Sequence, residues 1–188
     1  EDSPTLEPAE KKRLLFLFSE IFVENALPWQ DKTRAFTEAL PSSWATSEDD
    51  EEFLCAHGAW TLALHFAQAA EVREAIAQCV REMCEGMADF ALRQARQEGQ
   101  WLCIEDEADL DRYCYFVAGV VGNMLCDLFH TQSRFIDEAR HARMKTLAVS
   151  FGLGLQLVNI IKDADEDRSR EVCFIPQAWL KEEGMAHP

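Results

Sequence analysis

Gln156, Asn159, Asp163 and Asp167 follow one another by three, four and four residues in the stretch Gln156-Leu-Val-Asn159-Ile-Ile-Lys162-Asp163-Ala-Asp165-Glu166-Asp167. On a helix this spacing stacks all four side chains on one face, a turn apart. Two carboxylates at i,i+4 repel by about 0.2–0.5 kcal/mol, a cost that solvent screening or a bound cation removes. Amides and carboxylates offer oxygen donors, and magnesium suits them better than zinc. It takes one or two carboxylates and completes its octahedron with water and substrate phosphate oxygens. The chemistry in view is therefore the handling of a diphosphate. Taken alone, an acidic pair at a helix end is more often a solvated face. The preceding turns argue for the interior: Leu153, Leu155, Leu157, Val158, Ile160 and Ile161 make the helix apolar nearly all round. That is the pattern of a helix buried on most sides, and it places Gln156 and Asn159 inside, where amides need partners.

A second segment carries a phenol. Leu110, Tyr113, Val117, Val120, Met124 and Leu128 recur at steps of three and four, the signature of a core helix face. Gly119 and Gly122 each cost a helix about 1 kcal/mol relative to alanine, so a close helix crossing or a bulky ligand should gain from the missing side chain.

Together these segments resemble the squalene and phytoene synthase family of isoprenoid synthases. Tyr113-Cys-x-x-Val117-Ala-Gly119-x-Val-Gly122 is similar to that family's tyrosine-containing helix. Asn159-Ile-Ile-Lys162-Asp163-x-x-Glu166-Asp167, followed by Pro176, is similar to its second aspartate-rich motif. Glu1-Asp2-Ser-Pro-Thr-Leu resembles the tail of the first aspartate-rich motif of squalene synthases, of the form Asp-x-x-Glu-Asp. Cys84-Glu-Gly86-Met87-Ala-Asp-Phe90 resembles the helix that precedes the tyrosine helix. Two positions depart from the pattern. Lys162 stands where many members carry arginine, a point charge in place of a bidentate fork. Val172 stands where many carry another arginine, with Arg168 and Arg170 nearby.

The resemblance implies an all-α, class I isoprenoid synthase bundle enclosing a central cavity. Residues 1–188 would form a single, incomplete domain of a protein extending upstream of Glu1 and beyond Pro188. It implies Mg2+ held by Glu1 and Asp2 on one wall and by Asp163 and Asp167 on the other. Tyr113 is the expected catalytic residue. Gln156, Asn159, Lys162, Phe116, Val117 and Gly119 are the expected contacts to substrate, diphosphate or cofactor. The implied reaction joins two farnesyl diphosphates head to head, through presqualene diphosphate, to squalene, with NADPH supplying hydride in the last step. The alternatives are a phytoene or dehydrosqualene type of synthase that needs no NADPH, and a non-catalytic relative serving as a binding or assembly module.

Composition fits a helical protein. The formal charge of −16 leaves no basic stripe for nucleic acid. It does not conflict with an anionic substrate, since bound cations reverse the local field. The acidic run from Ser47 to Glu52 reads as a helix N-cap and first turn. Seven cysteines without close paired spacing point to reduced, packed thiols, with Cys103 expected to be the most exposed. His57, His65, His130 and His141 form no HExxH motif and read as structural or exposed. A hydrophobic run of membrane-spanning length is not expected, and the expected location is cytoplasmic, with peripheral membrane association an option for product release. Helices are expected near 9–24, 33–40, 48–66, 70–98, 107–129 and 137–165, separated by turn residues around Pro28, Pro41, Gly99 and His130 to Ser133.

Overall fold

The computed structural model describes residues 6–42, 44–45, 47–96, 102–169 and 171–185. The chain is all-α. Helix α1 (Pro8–Ile21) opens on a proline, whose missing N–H costs nothing in a first turn. It is followed by α2 (Trp29–Ala39), α3 (Glu48–Phe66) and α4 (Ala70–Arg96). A rod then runs from α5 (Glu107–Cys114) through a π-helical turn (Tyr115–Gly119) into α6 (Val120–Gln132). Helix α7 (Glu138–Lys162) returns along it, and α8 (Ala164–Ser169) and α9 (Gln177–Glu182) complete the described chain. The N-termini of α5 and α7 are set by aspartate caps. Asp106 accepts the Asp109 N–H at 2.9 Å, and Asp137 accepts that of Arg140 at 2.9 Å.

Two clusters make the core. Ile21, Phe22 and Ala77 pack with Phe18, Trp29, Phe36 and Phe66, joining α1 to α4. The second cluster surrounds the phenol: Met87 and Phe90 from α4, Ile104, Leu110 and Cys114, and Ile160 from α7 all pack with Tyr113.

Helix α7 lies on the rod backbone to backbone. A Cβ on Gly122 would stand 2.5 Å from the Ala148 carbonyl oxygen, and one on Gly152 would stand 2.6 Å from that of Ala118. Here is the close helix crossing anticipated for Gly122.

Several expectations change. The helix expected at 107–129 is interrupted by the π turn. The one expected at 137–165 ends at Lys162, with Asp163 as a joint before α8. Two short strands, β1 (Leu102–Cys103) and β2 (Val172–Cys173), pair in parallel, with Cys103 opposite Cys173. Cys103 is consequently 4% exposed instead of the most accessible thiol. Helix α7 is not buried on most sides. Ile160 is buried, but Leu155, Leu157, Val158 and Ile161 are exposed, the last at 79%. The reason is one-sided packing: the crossing face is the glycine and alanine face, and the large side chains point away from it. Apart from Lys162 at its end, its charges gather before Thr146, so α7 is also long and apolar enough, by length and composition, to cross a membrane, with a mean hydropathy of 1.4 over an 18-residue window. This corrects the expectation that such a run is lacking.

Candidate functional site

The acidic column survives the change of helix. The Asp163 N–H donates to the Asn159 carbonyl at 2.8 Å and the Asp167 N–H to that of Asp163 at 2.9 Å, so the i→i−4 ladder continues through the joint. Asp167 is buried at 6% exposure, and Asp163 is half-buried with Lys162 Nζ 3.2 Å away. Gln156 is half-buried, whereas Asn159 and Lys162 are exposed, so Asn159 is not the interior amide expected. By helix phase it falls within the face that carries Ala148 and Gly152, yet it is exposed. The donor set is two carboxylates with a half-buried and an exposed amide beside them, all hard oxygen ligands, and it fits Mg2+. Glu1 and Asp2, the other expected ligands, lie outside the described residues.

Tyr113 is 7% exposed. Its ring stacks on Phe174, centroids 4.3 Å apart, and meets Phe90 edge-on at 5.3 Å. Phe174 follows β2 directly, so the strand after α8 brings the chain back to the tyrosine. Sequence reasoning missed Phe174, because no local pattern announces a two-residue parallel strand. It also missed a second phenol: Tyr115 Oη donates to Glu82 Oε2 at 2.8 Å. Burial first, and then the Glu82 carboxylate, push the Tyr115 hydroxyl above its ordinary value. The adjacency of Tyr115 to Tyr113 was a usable signal, but pairing with a residue 33 positions upstream was not.

The remaining expected contacts fall around this centre. The Phe116 ring lies over Gly86, where any Cβ would overlap it, and Val117 packs against the Tyr113 cluster. At Gly119 a Cβ would stand 2.9 Å from the Tyr115 ring, so that glycine makes room for the second phenol. Burial pushes the Cys84 and Cys114 thiols up to about 11, which keeps both protonated at neutral pH and removes them as nucleophiles.

Arg93 fixes the start of the tyrosine helix. Its guanidinium spans both oxygens of Asp109 and reaches the Cys103 carbonyl, while Asp109 also accepts the Glu105 N–H. Burial, the largest effect, pushes the Asp109 carboxyl up. The Arg93 and Glu105 hydrogen bonds and the charges of Arg93 and Arg112 outweigh it, leaving the carboxyl below its ordinary value.

An all-helical chain that sets an amide and carboxylate column at the end of a long apolar helix, with a buried phenol packed among side chains of that helix, has the architecture of the isoprenoid synthases. Within that class the chain belongs to the squalene/phytoene synthase family, whose model matches residues 9–188. It is 32% identical over 190 residues to a probable squalene synthase of Neurospora crassa, covering 96% of this chain and 34% of the relative. It is 37% identical over 123 residues to the human squalene synthase, covering 64% and 27%. It is 43% identical over 77 residues to a 15-cis-phytoene synthase of Enterobacter agglomerans, covering 41% and 23%. The chain thus spans about a quarter to a third of the length of these relatives.

Proposed function

We propose that this chain is part of a prenyltransferase that joins two farnesyl diphosphates head to head, through presqualene diphosphate, to squalene. One observation carries the reading. Leu147, Phe151, Leu155 and Val158 form an exposed apolar stripe on α7, the helix whose C-terminal end carries Asp163 and leads into Asp167. A prenyl diphosphate has the same order of parts, a long hydrocarbon tail and then an anionic head.

Asp163 and Asp167 would hold Mg2+, with Gln156 and Asn159 in support. When bound, Mg2+ neutralises diphosphate charge and makes it a better leaving group. Lys162, exposed beside Asp163, is free to turn toward a phosphate oxygen. The α7 stripe and the side chains of Phe116, Val117, Val120 and Met124 would sheath the tails and keep water from an allylic cation. The Tyr113 hydroxyl would steer the proton lost as the cyclopropyl ring of presqualene diphosphate closes. NADPH would then supply the hydride of the squalene-forming step.

Farnesyl diphosphate and Mg2+ supplied to the full-length protein should yield squalene with NADPH and presqualene diphosphate without it, read by mass spectrometry of the extracts. Conversion of geranylgeranyl diphosphate to phytoene, indifferent to NADPH, would establish the second reading instead. The identity to the Enterobacter agglomerans phytoene synthase favours that alternative.

A further inference from the structure

The turn between α6 and α7 gathers two histidines and a glutamate away from the acidic column. One ligand atom from each of His130, Glu138 and His141 lies within 4.8 Å of the others. Glu138 and His141 are three apart at the start of α7, so they share a helix face. This is a Glu-x-x-His pair in the sequence.

The hydrogen bonds fix which nitrogens are spoken for. His130 Nδ1 lies 3.0 Å from the Ile136 carbonyl oxygen, which can only accept, so Nδ1 carries a proton and donates. His141 Nε2 lies 2.7 Å from Asp127 Oδ1. Asp127 also receives Lys145 Nζ at 2.8 Å and is ionised at neutral pH, so Nε2 donates as well. In both neutral rings the remaining nitrogen, Nε2 of His130 and Nδ1 of His141, is then a lone pair. Glu138 Oε1 sits 3.3 Å from His130 Nε2, an acceptor facing an acceptor. A proton on His130 Nε2 or a metal ion would bridge the two. The two rings are stacked, with centroids 4.4 Å apart and 9° between planes. A ring N–H anchored on a carbonyl or a carboxylate is also the outer-shell arrangement that orients metal-binding imidazoles. Glu71, Glu74 and Asp127 face the adjoining groove and make its field negative.

We propose that His130, Glu138 and His141 bind one borderline divalent transition-metal ion, of the zinc or cobalt type, which staples the end of α6 to the start of α7. Asp127 is the outer-shell carboxylate. Loading tilts the two rings out of their stack so that each lone pair points at the ion, and Glu138, 90% exposed, moves freely to complete the set.

Cobalt(II) is the probe, because thiolate ligation would reveal itself by an intense near-ultraviolet charge-transfer band. Equilibrium dialysis of the full-length protein should show Co2+ bound without that band, with one equivalent retained in the Asp163→Asn, Asp167→Asn double variant. Glu138→Ala, too exposed to affect folding, and His141→Ala should each weaken binding at least 10-fold to 100-fold, and Asp127→Asn by about as much. Unchanged uptake in both Glu138→Ala and His141→Ala overturns the proposal. So does a thiolate band, or uptake lost only with Asp163 and Asp167. Absence of uptake at micromolar Co2+ overturns it too.

Discussion

Arg93 holds Asp109 by both carboxylate oxygens, Nη1 to Oδ1 at 2.6 Å and Nη2 to Oδ2 at 2.8 Å, and so clamps α4 to the first turn of the helix that carries Tyr113. Both side chains are well shielded, at 17% and 15% exposure. Removing one partner would strand the other charge. Asp109→Asn should therefore cost roughly 2–4 kcal/mol at neutral pH in urea unfolding. The folded-state pKa of Asp109 is lowered, so its contribution is fully present above the ordinary value of 3.8 and is lost as the pH falls below it through the folded value. The gap between the native protein and the variant should be flat from neutral pH down to about pH 5 and shrink below 3.8. A gap independent of pH would mean that Asp109 acts through shape and not charge.

The glycines of the α6 and α7 crossing divide sharply. Gly122→Ala and Gly152→Ala each drive a Cβ into a backbone carbonyl that cannot give way, and should destabilise by about 1–3 kcal/mol or more. Gly154, on the same helix, would meet nothing within 4 Å, and Gly154→Ala should stabilise by up to about 1 kcal/mol. Thermal melts of the three variants, which differ only in where one methyl lands, test the crossing directly.

Asp163 terminates α7 and precedes α8, at the negative end of one helix dipole and the positive end of another. The two effects oppose each other, so Asp163→Asn should leave stability within about 0.5 kcal/mol of the native protein. Turnover of the full-length protein should be abolished. A fall in melting temperature in step with activity would assign the residue to the fold.

The two phenols separate in the same way. Tyr115→Phe deletes a hydrogen bond to Glu82 and should cost about 1 kcal/mol with little effect on rate. Tyr113→Phe keeps the stack on Phe174, and in the full-length protein should lower turnover by roughly 10²-fold if the hydroxyl guides a proton. Near-native rates would remove Tyr113 from the chemistry.

Periodicity exposed the long helices because each buries at least one stripe, and the spacing of Asn159, Asp163 and Asp167 was visible for the same reason. It misled at α7, where residue type indicated burial while the side chains of Leu155, Val158 and Ile161 lie outward. Composition cannot say whether a partner covers an apolar face. The strands were hidden by their length, and Phe174 was hidden with them. The face drawn through Leu110, Tyr113, Val117, Val120, Met124 and Leu128 assumed one uninterrupted α phase. In the fold Leu110 and Tyr113 belong to the Tyr113 core and Val117 packs on it, whereas Val120, Met124 and Leu128 do not. His130 and His141 looked unremarkable one at a time, and only the turn between α6 and α7 stacks them.

The π turn at Tyr115–Gly119 can be counted as one surplus residue in an otherwise regular rod. Nine uniform α steps from Tyr113 to Gly122 would put the two about 180° apart around the axis, whereas eight effective steps reduce the offset to about 80°. The phenol and the glycine of the α7 crossing thus come to lie on one half of the rod, where α7 can serve both. Chain length across residues 115–119 is therefore itself a constraint. A deletion there that lets the rod close as plain α should leave both halves facing as they do now. An insertion should turn them past one another and part Tyr113 from α7.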